Sequence, residues 1–262
     1  MAHKRYFDMI NKYGTCVLKI GGSQYPDVNA VYKIGEVVQS LSEQYQIKAI
    51  VVSAMGKTTS ELDATAHSIT KKQPNKCALD GYLATGEIQS AALLAMHLDD
   101  IGIPAHYYDA KSFGILTDEN FGKATIQKIT MPYVCPLNGI PVVAGFQGVT
   151  KYGDFTTLGR EGSDITAVWV ATVLAAGCCW FFKNGGGIYD KAPNGGSDAK
   201  LFREISYTKM LDILRENRDH SQVLHRRSVQ YARKFNMPLF VSSLDNPSVG
   251  TLIAARLHSK VY

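Results

Sequence analysis

The stretch TCVLKIGGS, Thr15 to Ser23, closes a short apolar run with two glycines. A run of this length bounded by a glycine turn reads as a buried strand, and the pattern after it, around Val28 to Gln44, reads as a helix. The same unit recurs down the chain. IKAIVVSAMG is a second strand ending at Gly56, with ELDATAHSIT continuing as helix. DGYLATGEIQSAALLAMHLDDIG is a long amphipathic helix with small residues on one face, closed by Gly102. IPAHYYDA, IPVVAGFQG, CCWFFKN and PLFVSS read as further strands, and helices are expected around Tyr207 to Arg215 and Gln222 to Phe235. Strands separated by helices of this length predict an α/β fold: a mostly parallel central sheet with helices on both faces. Ligand-binding loops then gather at the carboxyl ends of the strands. No internal repeat is visible, and APNGGSD, Ala192 to Asp198, is the loop-like stretch.

Composition narrows the function. At 262 residues the chain can bury an ample core, and 45% hydrophobic with 19% charged residues is ordinary for a soluble α/β enzyme. The net charge of +5, 28 basic against 23 acidic residues, is scattered without a basic block, which disfavours nucleic acid. The five cysteines are odd in number and show no C-x-x-C spacing, so they are read as reduced core residues of a cytoplasmic protein. No stretch has signal-peptide or membrane-spanning character. His67, His97 and His225 lack metal-ligand spacing, and no metal ligand is assigned.

Five stretches carry chemistry. In KIGGS, Gly21 and Gly22 let backbone N–H groups approach a phosphate beside the Lys19 cation and Ser23, although a plain turn would look the same. SAMGKTTSEL resembles a P-loop until its spacing is checked, because Val51 stands where the first glycine is required. A hydroxyl-rich loop with Ser53 and Thr59 remains, and helix capping by Ser60 is its bland reading. Glu87 sits in an apolar helix pattern, where a carboxylate is costly unless partnered; it is either exposed or aimed into a cleft to hold an ammonium. In TTLGREGSDITA, Thr156 to Ala167, Arg160 offers a fork for a carboxylate, and Gly162, Ser163 and Asp164 open a helix. Capping explains Ser163 and Asp164 but not Arg160. Finally, FKNGGGIYDKAPN is a loop able to wrap a nucleotide base, with Lys183 and the later Lys200 toward phosphate and Gly187, Tyr189 and Pro193 along it.

The order of these stretches, with SQVLHRRSV and PLFVSSLDNPSVGTLI after them, resembles the catalytic domain of aspartate kinases, within the amino acid kinase family, from about Thr15 to Ile253. The resemblance implies a three-layer αβα sandwich forming one domain, with an acceptor lobe over about residues 1–150 and a nucleotide lobe over about 151–262. It implies transfer of the γ-phosphoryl of ATP, with Mg²⁺, to the β-carboxylate of L-aspartate. Lys19, Asp164 and Lys200 would be catalytic. Ser53, Thr59, Glu87, Arg160 and Ser163 would bind the amino acid, Glu87 its ammonium and Arg160 its carboxylate. Gly21, Gly22, Ser23, Lys183, Gly187, Tyr189 and Pro193 would bind nucleotide. A homodimer is compatible with the resemblance.

The chain also departs from the family pattern. Gln24 replaces a serine, Glu161 replaces a glycine, Arg226 replaces a proline, and the nucleotide loop from Asn184 to Gly187 loses acidic positions. The C-terminal ACT regulatory domains usual in aspartate kinases are absent from the sequence, so no in-chain feedback site is expected. Two alternatives stay open: a kinase of another small acid, and a non-catalytic nucleotide- or amino-acid-binding homologue.

Overall fold

In a computed structural model the described residues are 13–130, 139–160, 162–191, 199–216 and 223–255. Strand β1 (Thr15–Ile20) leads through a 3-10 turn at Gly22–Gln24 into helix α1 (Ala30–Ser42). Then follow β2 (Gln46–Val52), α2 (Thr58–Ser68) and the long α3 (Lys76–Asp100). Next come β3 (Ala105–Tyr108), the single turn α4 (Ala110–Phe113), β4 (Ile115–Thr117) and β5 (Ile126–Ile129). β6 (Ile140–Ala144), β7 (Gln147–Val149), β8 (Phe155–Thr157), α5 (Gly162–Val173) and β9 (Cys178–Phe182) complete the middle of the chain. The last elements are β10 (Glu204–Ser206), α6 (Tyr207–Glu216), α7 (Arg226–Phe235), β11 (Leu239–Ser242) and β12 (Gly250–Ala254).

Eight strands form the main sheet in the order β10-β12-β11-β9-β1-β2-β6-β3. The pairs β9–β1, β1–β2, β2–β6, β6–β3 and β11–β9 are all parallel, as the alternation of strands and helices predicts. The exception is β12, antiparallel to β11. Its connection, residues 243–249, is too short for the crossover that a parallel partner requires.

The two faces of the sheet can be read from β1. Cys16, Leu18 and Ile20 pack into one apolar core with Ile34 and Val38 of α1 and Leu94 and Leu98 of α3. Val17 belongs to the other core, with Val168 of α5, Met210 of α6 and Val229 of α7. β9 alternates likewise, with Cys178, Trp180 and Phe182 on the first face and Cys179 and Phe181 on the second. The sheet is thus the middle of three layers, as expected.

A second sheet of four short strands, β5-β4-β7-β8, was not expected. Its strands are three or four residues long, too short to leave a period-two pattern. It packs its apolar side, Ile115, Ile126 and Val149, into the core that holds α5. Helix boundaries also shift slightly: α1 begins at Ala30, α3 starts four residues before Asp80, and α7 begins at Arg226. No helix among the described residues is long and apolar enough to cross a membrane.

Candidate active site

Strand alternation places two lysines on one face. Lys19 follows the buried Val17 by two residues, and Lys183 follows Phe181 by two, so both lie on the side where α5 packs. β1 and β9 are adjacent in the sheet, and their carboxyl ends lie together. Asp164, in the first turn of α5, meets both lysines: its Oδ1 is 2.6 Å from Lys19 Nζ, and its Oδ2 is 3.1 Å from Lys183 Nζ. Burial alone would push the Asp164 carboxyl up. The opposing charges of Lys183 and Lys19 outweigh it and hold the pKa down at about 2. Two ammonium groups around one carboxylate leave a surplus positive charge, suited to an anion. Gly21 stands directly over Lys19, since a Cβ there would lie 3.2 Å from Nζ.

Beside this cluster lies a cleft of about 490 Å³ whose walls include Gly22, Ser53, Thr59, Glu87, Arg160 and Ser163. Residues more than a hundred positions apart thus converge. Among its buried polar groups is Glu87, 3% exposed on α3. The packing of Gly86 against Ala54 brings Glu87 close enough for its Oε1 to accept the Ala54 N–H at 3.1 Å. Its Oε2 has no hydrogen-bond partner. Burial raises the Glu87 carboxyl to about 8, against the opposing influence of the Ala54 N–H, its own N–H and the Lys19 charge. A buried carboxylate oxygen left without a donor is costly unless a cationic ligand supplies one. Arg160 is exposed and lines the same cleft from the segment between β8 and α5.

Close backbone approach explains several glycines here. A Cβ on Gly22 would lie 2.7 Å from the Ala54 carbonyl oxygen, and Gly159 adopts φ +77°, which favours glycine. Phe146, a further wall residue, holds φ +69° without being glycine. Its N–H donates to Thr166 Oγ1 at 3.2 Å and its carbonyl accepts the Leu158 N–H at 2.8 Å, which fixes it in that unusual conformation.

Asp80 is a wall residue that the sequence reading missed. It is 2% exposed, and it accepts the Gly122 N–H at 2.8 Å, the Thr157 N–H at 2.7 Å and the Thr157 hydroxyl at 2.9 Å. It ties α3 to the segment that leads into Arg160. The available signal was spacing: Asp80 precedes Glu87 by seven residues, two helical turns, and so shares its face. Arg227 supports the same segment from α7, its Nη1 donating to the Leu158 carbonyl at 3.1 Å. Burial lowers the pKa of His225 at the N-cap of α7; the charge of Asp164 opposes this, and the charges of Arg227, Arg160 and Lys183 reinforce it.

Other expectations fare differently. Ser60 does not cap α2: the helix begins at Thr58, and Lys57 at the N-cap position makes no side-chain cap. Lys200 is exposed beside a bridge between Tyr189 and Leu201, its N–H donating to Asp190 Oδ1 at 2.8 Å, and it is not part of the Lys19–Asp164–Lys183 cluster. Gly187 is buried, where a Cβ would strike Leu201, and Tyr189 is half-buried. Ser23 is exposed in the 3-10 turn. Pro193 and Glu161 lie outside the described residues. Cys16, Cys178 and Cys179 are buried thiols, Cys77 is a partly buried one, and Cys135 is outside the described residues.

Residues 14–243 match the amino acid kinase family. The chain is 37% identical over 243 residues to an aspartokinase of Geobacillus stearothermophilus, an alignment covering 92% of this chain and 59% of that protein. It is 36% identical over 240 residues to an aspartokinase of Thermus thermophilus, covering 90% of this chain and 58% of the relative. The chain therefore spans a little under three-fifths of the length of these curated relatives. Among solved structures, E. coli aspartokinase III in complex with aspartate and ADP superposes with a TM-score of 0.82 at 22% identity, over 94% of this chain and 65% of that one. At that identity the likeness establishes the fold.

Proposed function

Because the chain belongs to the amino acid kinase family, we propose that it is an aspartate kinase, transferring the γ-phosphoryl group of MgATP to the β-carboxylate of L-aspartate. The observation that carries this reading is the unpartnered Glu87 oxygen in a cleft shared with Arg160 and adjoining two lysines. An α-amino acid presents an ammonium and a carboxylate in fixed relation, and Glu87 and Arg160 match that pair. Ser53, Thr59 and Ser163 supply hydroxyls along the same wall. The side-chain carboxylate is then left for the Lys19 end of the site. The resemblance to curated aspartokinases supports this acceptor.

In the reaction, a carboxylate oxygen of the substrate forms a bond to the γ-phosphorus as the bond from phosphorus to the ADP oxygen breaks. The products are an acyl phosphate and ADP. The nucleophile is already ionised near neutral pH, so no general base is needed. What remains for the protein is positioning and charge stabilisation. Lys19 and Lys183 neutralise charge on the transferring group, Asp164 keeps both ammonium groups in place, and backbone N–H groups at Gly21, Gly22 and the start of α5 complete the cradle. Lys183, rather than Lys200, takes the second catalytic position in this reading. Mg²⁺, if bound with the nucleotide, would supply charge neutralisation on its phosphates. Among the described residues no cluster of acidic, histidine or cysteine side chains forms a metal cage, and both Asp164 oxygens already serve lysines.

The cleft draws on residues before and after the lobe boundary expected near residue 150, with Ser53 and Glu87 before it and Arg160 and Ser163 after it. The acceptor is accordingly held between the lobes, and the loop after β9 serves the nucleotide. The buried thiols are consistent with a cytoplasmic enzyme. The test is ADP release with MgATP and L-aspartate, with hydroxylamine present to trap the acyl phosphate. Aspartate-dependent hydroxamate that is lost in Arg160→Ala establishes the activity. Turnover only with glutamate or another acid refutes the acceptor, and nucleotide binding without turnover on any acid favours a binding protein.

A further inference from the structure

Two side chains from loops far apart in sequence touch each other. Gln24, in the 3-10 turn after β1, donates from Nε2 to the side-chain Oδ1 of Asn184, at the start of the loop after β9. The partners are 160 residues apart in sequence. Gln24 is buried, so its amide needs a partner, and Asn184 supplies it from an exposed position.

The loop on the Asn184 side has reason to need a pin. Asn184 is followed by Gly185, Gly186 and Gly187, residues that lose the most backbone freedom when fixed. Hydrogen bonds from backbone N–H groups hold its ends: the Lys183 N–H donates to the Ser242 carbonyl at 2.8 Å, and the Ile188 N–H donates to the Thr251 side-chain Oγ1 at 2.9 Å. Lys183 itself, immediately before Asn184, reaches Asp164. The anchor on the other side is stiff. The Gln24 N–H donates to the Gly21 carbonyl at 2.9 Å, and Gly22 beside it packs against the Ala54 carbonyl.

We propose that Gln24 and Asn184 are a positioning pair: the bridge between the glycine turn after β1 and the glycine loop after β9 sets that loop, and with it Lys183, for MgATP. Neither residue touches the reacting atoms in this scheme. The proposal rests on the kinase reading for the identity of its ligand.

A double-mutant cycle tests it, using the full chain, Gln24→Ala, Asn184→Ala and the double variant, with Asn184→Asp as the conservative replacement that keeps the acceptor oxygen. MgATP affinity is read by calorimetry, and KM for each substrate by the hydroxamate assay. Each alanine variant is expected to weaken MgATP about three- to tenfold, the worth of one hydrogen bond. KM for aspartate stays at the wild-type value, and the melting temperature falls by no more than the few degrees that one hydrogen bond is worth. The double variant is expected to be no weaker than the weaker single variant, because the two residues act through one contact. Asn184→Asp recovers affinity relative to Asn184→Ala. Additive losses, or an equal rise in both KM values with a lowered melting temperature, overturn the positioning role. A wild-type chain that binds MgATP without phosphorylating aspartate sinks the acceptor assignment instead, and the calorimetric cycle still decides the pair.

Discussion

Replacing Glu87 by glutamine separates stability from function at one buried group. In the unliganded protein the Glu87 carboxyl is pushed from 4.5 to about 8, chiefly by burial. The folded state therefore holds a proton that the unfolded state has lost at any pH between these values. Where the native state binds more protons, stability falls as pH rises, so the wild type becomes less stable from about pH 4.5 to pH 8. At about 1.4 kcal/mol per pH unit the full span is on the order of 3–5 kcal/mol. Glu87→Gln keeps the side-chain oxygen that accepts the Ala54 N–H and abolishes the ionisation. Its stability curve should be flatter over that window, and it should exceed the wild type at pH 8 in chemical denaturation. Ligand binding should show the opposite balance. At pH 7 a group with a pKa near 8 is about nine-tenths protonated, and an incoming ammonium favours the carboxylate, so aspartate binding should release close to one proton. Calorimetry in buffers of different ionisation enthalpy measures that release, which should vanish at pH 9.5 and in the variant. Loss of a charge-assisted contact should also weaken aspartate about ten- to a hundredfold in Glu87→Gln. A variant that binds aspartate like the wild type, or a wild type that releases no proton at pH 7, would refute the assignment of Glu87 to the ammonium.

Asp164→Asn leaves two ammonium groups facing each other without their counter-charge. It should cost about 3–5 kcal/mol in denaturant unfolding, and turnover should fall by two orders of magnitude or more. Lys183→Ala should reduce turnover far more than Lys200→Ala, whose exposed side chain lies away from the cluster; parallel kcat measurements on the two variants decide between them. In Gly22→Ala the added methyl would lie 2.7 Å from the Ala54 carbonyl, so a loss of about 1–3 kcal/mol in stability and a rise in KM for MgATP are expected. Unchanged melting and kinetics would mean that this turn yields easily.

Much of the architecture was legible in the chain. The apolar runs at Thr15–Ile20, Gln46–Val52 and Cys178–Phe182 became adjacent parallel strands because runs this short and this apolar can be satisfied only in a sheet covered on both faces. Glu87 and Arg160 were visible as polar groups that local structure could not explain. Which of Lys183 and Lys200 meets Asp164 was not legible, because both are lysines near a glycine loop, and only the register of β9 beside β1 points Lys183 at Asp164. Asp80 was hidden because its partners, Gly122 and Thr157, lie 42 and 77 residues away. The small sheet escaped notice because three-residue strands carry no period. The sequence by itself determined the elements, their alternation and the inventory of charged groups, since these follow from local periodicity and from the cost of burying polarity. Only the tertiary structure decided which lysines share a carboxylate, which buried carboxylate oxygen is left without a hydrogen-bond partner, and that Gln24 meets Asn184. Those pairings depend on strand order and register, which long-range packing sets and no local pattern encodes.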